Sequence, residues 1–263
     1  MHARRARCFG SVAARYAQHR PDYPEQAVAW ALGLLPPGSA RVLDLAAGTG
    51  KLTEALLRCE IPAAALLAVE PDDDMRTLLS RLLPEVTVRF GTAEQIPADD
   101  ATVDAVLVGQ AFHWFDPDRA LGEIARVLRP GGVLAALGNT EDDSVDWVTE
   151  LTAAAQAQRS SGMVGRGFAD VPEHPAFGDP QLRGFRWRWP RTIDSFLDTV
   201  STHSWAVTSS PDQRAATFTA IRRFLETHPR TRDGSFELPM QTLVLRTTCR
   251  AGVPSGRAVH KRL

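Results

Sequence analysis

Lysine is nearly absent from this sequence: of 30 basic side chains only Lys51 and Lys261 are lysines, the rest being arginine. The skew accompanies abundant alanine and is a matter of composition, not mechanism. Net charge is almost absent too, with 31 acidic residues against those 30 and a formal value of −1. That balance leaves no electrostatic footprint for a nucleic-acid backbone or an anionic membrane surface, so neither is expected as a partner. Cysteine is scarce: Cys8, Cys59 and Cys249 lie far apart, with no Cys-x-x-Cys or Cys/His ligand spacing. No disulfide framework and no metal site is therefore expected, and free thiols suit a reducing cytoplasm. No apolar run approaches the ~18 residues of a membrane-spanning helix. The basic opening MHARRARCFG is not followed by an apolar signal core, because Arg15, His19 and Arg20 come soon after. A cytoplasmic protein is the expectation.

What is present is ordinary globular composition, 44% hydrophobic and 23% charged over 263 residues. That length suits a single α/β domain with an added cap, and it buries enough apolar surface to need no covalent staple. The expected organisation is lid helices over 9–35, a core over 40–138, a cap and last strands over 139–248, and a tail over 249–263. Pro21 and Pro24 mark a joint in the lid, and Pro36-Pro37-Gly38 ends it. Strands are then expected over 41–45, 65–69, 86–90, 103–108 and 133–137. Helices are expected over 51–58, from Pro71 onward and over 117–128. Such alternation implies a parallel sheet covered on both faces, and the near-continuous apolar run VDAVLVG fits strands buried on both sides. After Asn139 the rhythm breaks. A helix over 145–158, a patternless stretch from 159, a strand in RGFRWRWP, helices over 193–200 and 211–227, and a last strand over 240–247 complete the reading. No internal repeat is present.

The strongest chemical signal is strand, turn and helix with VLDLAAGTGKLT at the turn. Gly48 and Gly50 permit positive φ and close approach of a ligand to the backbone, and the helix that follows points free N–H groups at it. Asp44 ends the strand on the edge where open α/β sheets bind ligands. Glu70 ends the next strand, at the position where Rossmann-type sheets place an acid that accepts the ribose hydroxyls. A tight strand-to-helix connection and a solvated acid are the plain alternatives for each feature taken singly.

Taken together, VLDLAAGTGKLT, LLAVEPDDDM, FGTAEQIP, VDAVLVGQAFHWFD and VLRPGGVLA, in this order, resemble the class I methyltransferases. The resemblance is to the small-molecule group that includes the trans-aconitate, menaquinone-biosynthesis and malonyl-carrier-protein enzymes. It covers roughly residues 9–138, with FGSVAARYAQHRPDYP resembling the lid helix. It implies a Rossmann-like α/β fold whose mostly parallel sheet has seven strands, the last antiparallel, with an N-terminal lid and a C-terminal cap. The implied cofactor is S-adenosyl-L-methionine. Asp44, Gly48 and Gly50, with Ala46 and Thr49 between them, would hold its methionine end, and Glu70 its ribose hydroxyls. Pro71 and Met75 would flank the adenine or ribose, Thr92, Ala93 and Glu94 would sit at the adenine edge, and Gln110 and Ala111 would lie under the sulfonium. Tyr16 of the lid would close over the cofactor. Two positions depart from the pattern: Ala46 replaces a first glycine, and Thr92 stands where many relatives have Asp.

On the acceptor side His113, Trp114 and Phe115 would wall the substrate pocket. His113 is the candidate general base, since its unperturbed pKa lies near neutrality; an aromatic cluster that merely shapes the pocket is the alternative. The expected activity is methyl transfer to oxygen or carbon of a small molecule. A non-catalytic cofactor-binding module of the same fold stays open. A nicotinamide dehydrogenase is the other rival, but its fingerprint wants Gly or Ala where Thr53 stands. RWRWP interleaves Arg and Trp as some nucleic-acid platforms do, yet its strict alternation also describes a half-buried strand. The acceptor and the oligomeric state are not legible.

Overall fold

Strands that are apolar on both faces need cover on both faces. The computed structural model describes residues 19–35, 40–156, 171–203, 205–206 and 209–250. In chain order its elements are α1 (Glu25–Leu32), β1 (Val42–Leu45), α2 (Lys51–Arg58), β2 (Leu66–Val69), α3 (Asp73–Leu82), β3 (Thr87–Arg89) and β4 (Val103–Gly109). They continue as α4 (Pro117–Val127), β5 (Leu128–Glu141), α5 (Asp146–Gln156), β6 (Gln181–Thr192), α6 (Ile193–Ser201), α7 (Pro211–Thr227) and β7 (Ser235–Thr248). The expected lid helix with Tyr16, the Pro36-Pro37-Gly38 stop, residues 157–170 and the tail from 251 lie outside the described residues.

The strands form one seven-stranded sheet in the order β3-β2-β1-β4-β5-β7-β6. Neighbours among β1 to β5 pair in parallel, whereas β7 runs antiparallel to both β5 and β6. This is the mostly parallel, Rossmann-like sheet with an antiparallel last strand. Its order reverses between β1 and β4, and at such a switch point the carboxyl ends of the strands open a crevice. Along β4, Ala105 and Leu107 pack on Val28 and Ala31 of α1 and Leu52 and Leu56 of α2. Val106 and Val108 face the other layer, with Leu121 and Ile124 of α4. A third cluster joins Trp147 and Leu151 of α5, Phe196 and Val200 of α6 and Leu225 of α7 to Phe236, Leu238 and Met240 of β7.

Three boundaries differ from the sequence expectation for physical reasons. The helix expected to run to Leu128 ends at Val127, and Leu128 already pairs with Val103, so the Arg-Pro-Gly-Gly turn is an irregularity inside β5. Gly132 is needed there, because a Cβ would lie 2.9 Å from both the Arg129 and Asp104 carbonyl oxygens. The third helix begins at Asp73, not Pro71, because the Asp72 carboxylate caps it by accepting from the Asp74 and Met75 N–H groups at 3.1 and 3.0 Å. The last strand starts at Ser235, five residues before its expected start, running through Pro239. The carbonyl of Pro239 faces the β5 side, where it accepts from Asp142 N–H at 3.0 Å. Its nitrogen points the same way, so no ladder bond to β6 is lost.

Candidate active site

The turn between β1 and α2 is shaped by three left-handed residues: Ala46 (φ 58°), Gly48 (φ 59°) and Gly50 (φ 94°). Ala46 thus occupies a conformation that favours glycine, at a cost of roughly 1–2 kcal/mol. Gly50 caps α2, and a Cβ there would press on Leu79 Cγ at 3.1 Å, so its missing side chain lets the turn sit against α3.

Asp44 ends up 1% exposed at the floor of this turn. Its Oδ2 accepts from the hydroxyl of Thr53, itself fully buried, at 2.6 Å, while its Oδ1 is buried with no hydrogen-bond partner. Thr49 Oγ1 is likewise buried and unpartnered. Buried polar atoms left unsatisfied in this way are exceptional and call for a partner. Burial pushes the Asp44 carboxyl up to about 7, against the lowering effect of the Thr53 hydroxyl. A carboxylate held in that state gains most from a cationic ligand, so the donor set fits an ammonium group beside a hydroxyl-binding anion.

Glu70, at the end of β2, accepts from Gly48 N–H through Oε2 and from Asp72 N–H through Oε1, both at 2.8 Å. Burial raises its pKa, and those two amides partly offset the effect. Each oxygen keeps a second lone pair for a ligand hydroxyl. Half-buried Pro71 lies between these contacts, and Met75 Sδ lies 3.9 Å from where a Cβ on Gly48 would be.

Past β4 the backbone turns at Gln110, a non-glycine residue with φ 53°. Its N–H bonds the Leu137 carbonyl at 2.8 Å and its Nε2 donates to the Asn139 carbonyl at 2.9 Å. Non-glycine residues held in this region cluster at functional sites. Asn139 also donates through Nδ2 to the Asp22 carbonyl at 3.0 Å, which holds the chain segment before α1 across the sheet edge. Tyr23 there packs so tightly on Gly109 that a Cβ would meet its hydroxyl at 2.6 Å. The result is a narrow cleft of about 50 Å³, lined on one side by Asp44, Gly48 and Thr49 and on the other by Arg20, Tyr23 and Gln110. A larger opening, about 480 Å³, lies at the end of β5 among Arg186, Arg188 and Trp147. The smaller cleft has the unsatisfied donors and acceptors at a topological switch point, and chemistry outranks size in locating the site.

Of the expected residues, the fold brings Asp44, Ala46, Gly48, Thr49 and Gln110 to the cleft wall and ties Glu70 and Met75 to it through Gly48. Gly50 lies behind it as the helix cap. Thr92 pairs with Gln95, Ala93 and Ala111 are buried against Phe112, and Glu94 accepts from Asp116 N–H at 3.0 Å; none of these lines the cleft. In the segment after Gln110, the His113 ring lies tilted against Trp114 with centroids 4.6 Å apart, and Phe115 lies 5.3 Å from Phe112. Desolvation, and then the Arg20 charge, lower the His113 pKa although the residue keeps an exposed edge. Thr53, Tyr23 and Asn139 were not singled out as site residues in the sequence. A hydroxyl nine residues after a strand-end Asp was the available signal for Thr53. A polar residue closing the apolar run VLAALGN was the signal for Asn139. Among the described residues no cluster of three or more His, Cys, Asp or Glu could hold a metal ion.

Comparison with known proteins bears on this geometry. Residues 43–136 match the family described as methyltransferase domain. A Mycobacterium tuberculosis protein named as an uncharacterized methyltransferase is 39% identical over 245 residues, covering 91% of this chain and 95% of that one. A malonyl-[acyl-carrier protein] O-methyltransferase of Methylococcus capsulatus is 38% identical over 134 residues, 48% of each chain. Among solved structures, a putative type II methyltransferase from Anaeromyxobacter dehalogenans superposes with a TM-score of 0.62 at 26% identity, covering 88% of this chain and 97% of that chain.

Proposed function

The chain belongs to the class I, S-adenosylmethionine-dependent methyltransferases, and from that premise we propose that it transfers a methyl group from S-adenosyl-L-methionine to oxygen or carbon of a small-molecule acceptor. The observation that carries the cofactor assignment is the pair of buried, unpartnered atoms at the turn, Asp44 Oδ1 and Thr49 Oγ1. In this reading Asp44 takes the ammonium of the methionine end, and Thr49 with the backbone around Gly48 and Gly50 takes its carboxylate. The free lone pairs of Glu70 take the ribose hydroxyls. Pro71 and Met75 border the adenine or ribose, Thr92, Ala93 and Glu94 bound the adenine edge beyond the cleft, and Gln110, with Ala111 behind it, supports the sulfonium.

When bound, the cofactor supplies a methyl group on a positively charged sulfonium. What the protein contributes is alignment, and well-oriented reactants can supply about 7–11 kcal/mol of barrier lowering. Tyr23 and Arg20 close the cleft from above and exclude water. His113 serves as general base for acceptors that carry a proton at the reacting oxygen or carbon. Desolvation lowers its pKa and so favours the neutral ring, the form that accepts that proton. The relative named as an O-methyltransferase supports an oxygen acceptor, and a carboxylate acceptor needs no base. The third cluster, built from α5, α6 and α7, acts as the cap that sets selectivity. The enzyme works in the cytoplasm; among the described residues no helix is long and apolar enough to cross a membrane.

The test is release of S-adenosylhomocysteine with a panel of small carboxylic acids, phenols and quinol precursors, where a pure binder releases none. Glu70→Ala should weaken cofactor affinity by about 10–100-fold, the worth of hydrogen bonds to a charged group. Lost activity with cofactor affinity unchanged would contradict the ribose assignment.

A further inference from the structure

The large cavity at the end of β5 has no part in the cofactor assignment. We propose that it is a binding site for an organic anion, a carboxylate or phosphate ester on a flat apolar body. β5 stops pairing at Glu141 opposite Met240, and β7 extends beyond that point to Ser235 with β6 on one side only. The notch so formed lies between the start of α5 and the segment that enters β7.

Three guanidinium groups face it against two carboxylates. Arg186 Nε lies 3.0 Å from the buried Asp142 carboxylate, and its Nη2 donates to Ser144 Oγ at 3.2 Å. Arg188 reaches Glu237 at 3.4 Å with both side chains mostly exposed, and an exposed pair of that kind contributes little and exchanges readily. Arg230 bonds through its backbone N–H to His228 Nδ1 at 3.2 Å, and no described carboxylate pairs with its exposed guanidinium. The cavity therefore presents one cation that no described residue neutralises and a second that is loosely held. A guanidinium fork matches carboxylate or phosphate oxygens two at a time.

The apolar walls are fixed in advance. Trp187 commits its indole N–H to Thr242 Oγ1 at 3.0 Å, and that hydroxyl donates onward to Asn139 Oδ1 at 2.5 Å. The ring is thus tied to the residue that also holds Gln110, and it offers the cavity carbon rather than a polar edge. Trp147 is held by the rings of His228 and Phe236 at 5.8 and 6.0 Å. Trp187 and Trp147 line the notch from the face of the sheet packed by α5 to α7, Arg186 and Arg188 from the other face of β6, and Arg230 from the segment that enters β7; apolar walls with a few polar groups are the make-up of a small-molecule pocket.

The test is calorimetric titration of the full chain with phenyl phosphate, with benzoate and with benzyl alcohol, each with and without saturating S-adenosylhomocysteine. The expected result is one-to-one binding of phenyl phosphate or benzoate, whichever anion the site prefers. Benzyl alcohol should bind at least tenfold more weakly, and S-adenosylhomocysteine should not displace the anion. Arg230→Gln, at an exposed position, should keep the thermal midpoint and weaken anion binding about tenfold. Equal binding of benzyl alcohol, displacement by S-adenosylhomocysteine, undiminished affinity in Arg230→Gln, or no saturable binding of either anion would each overturn the site.

Discussion

The two sides of the sheet are built on different physical terms. From β3 to β5 the strands are parallel and, at the centre, apolar on both faces, and the polar groups among them sit at the strand ends: Asp44, Glu70 and Gln110. In β6 the side chains alternate, with Trp187 and Trp189 half-buried and Arg186 and Arg188 exposed. That edge strand carries charge where an unpaired ladder would otherwise invite another strand. The first region concentrates its irregularity at one crevice, with three left-handed residues in a single turn. The second spreads charge over a surface and leaves an arginine-lined notch.

Matched truncations in the two regions should show the largest contrast. Leu134→Ala, at a fully buried position in β5, should cost about 2–5 kcal/mol. Leu182→Ala, 64% exposed on β6, should cost less than about 0.5 kcal/mol. Urea unfolding of both variants checks this, and equal costs would break the distinction. Next in size, Asp44→Asn should weaken S-adenosylhomocysteine binding about 100-fold, through loss of a charge-assisted bond worth roughly 1.5–3 kcal/mol. The thermal midpoint should be unchanged or raised, since the variant no longer buries a charge.

The same carboxylate predicts a pH dependence. A pKa raised from 3.8 to about 7 in the free protein means a stability contribution that is present below 3.8 and lost as pH rises through 7. Cofactor binding, which needs the ionised form, runs the opposite way. Affinity for S-adenosylhomocysteine should fall about tenfold per pH unit below 7 and level off above it. Titrations between pH 5.5 and 8.5 read this directly, and Asp44→Asn should flatten the curve. The smallest effect concerns Ala46: Ala46→Gly should stabilise the protein by about 1 kcal/mol, because φ 58° is free of strain for glycine. A loss of stability on thermal unfolding would show that alanine is held there by contacts worth more than the strain.

How much of this was legible in the sequence follows the same division. Asp44, Gly48, Gly50 and Glu70 could be placed in the fold because their positions depend on a strand end or a φ angle, which are local properties. Tyr23 and Asn139 could not, because their partners at Gly109 and Asp22 are set by topology, whereas Thr53 lies nine residues from Asp44 in the same strand-turn-helix unit. Asp22 and Asn139 lie 117 residues apart and meet only because α1 folds back over the sheet edge. Pro239 hid the first third of β7, since a proline reads as a strand breaker until its free side is known. The alternation of RGFRWRWP gave the half-buried strand correctly, but periodicity says nothing of the notch that forms where β5 ends.

The most direct test of the central claim is calorimetric titration with S-adenosylhomocysteine, run beside NAD on the same preparation. One-to-one binding of S-adenosylhomocysteine in the micromolar range, and none of NAD, is the expected result. Binding of NAD in its place would contradict the assignment of the cleft.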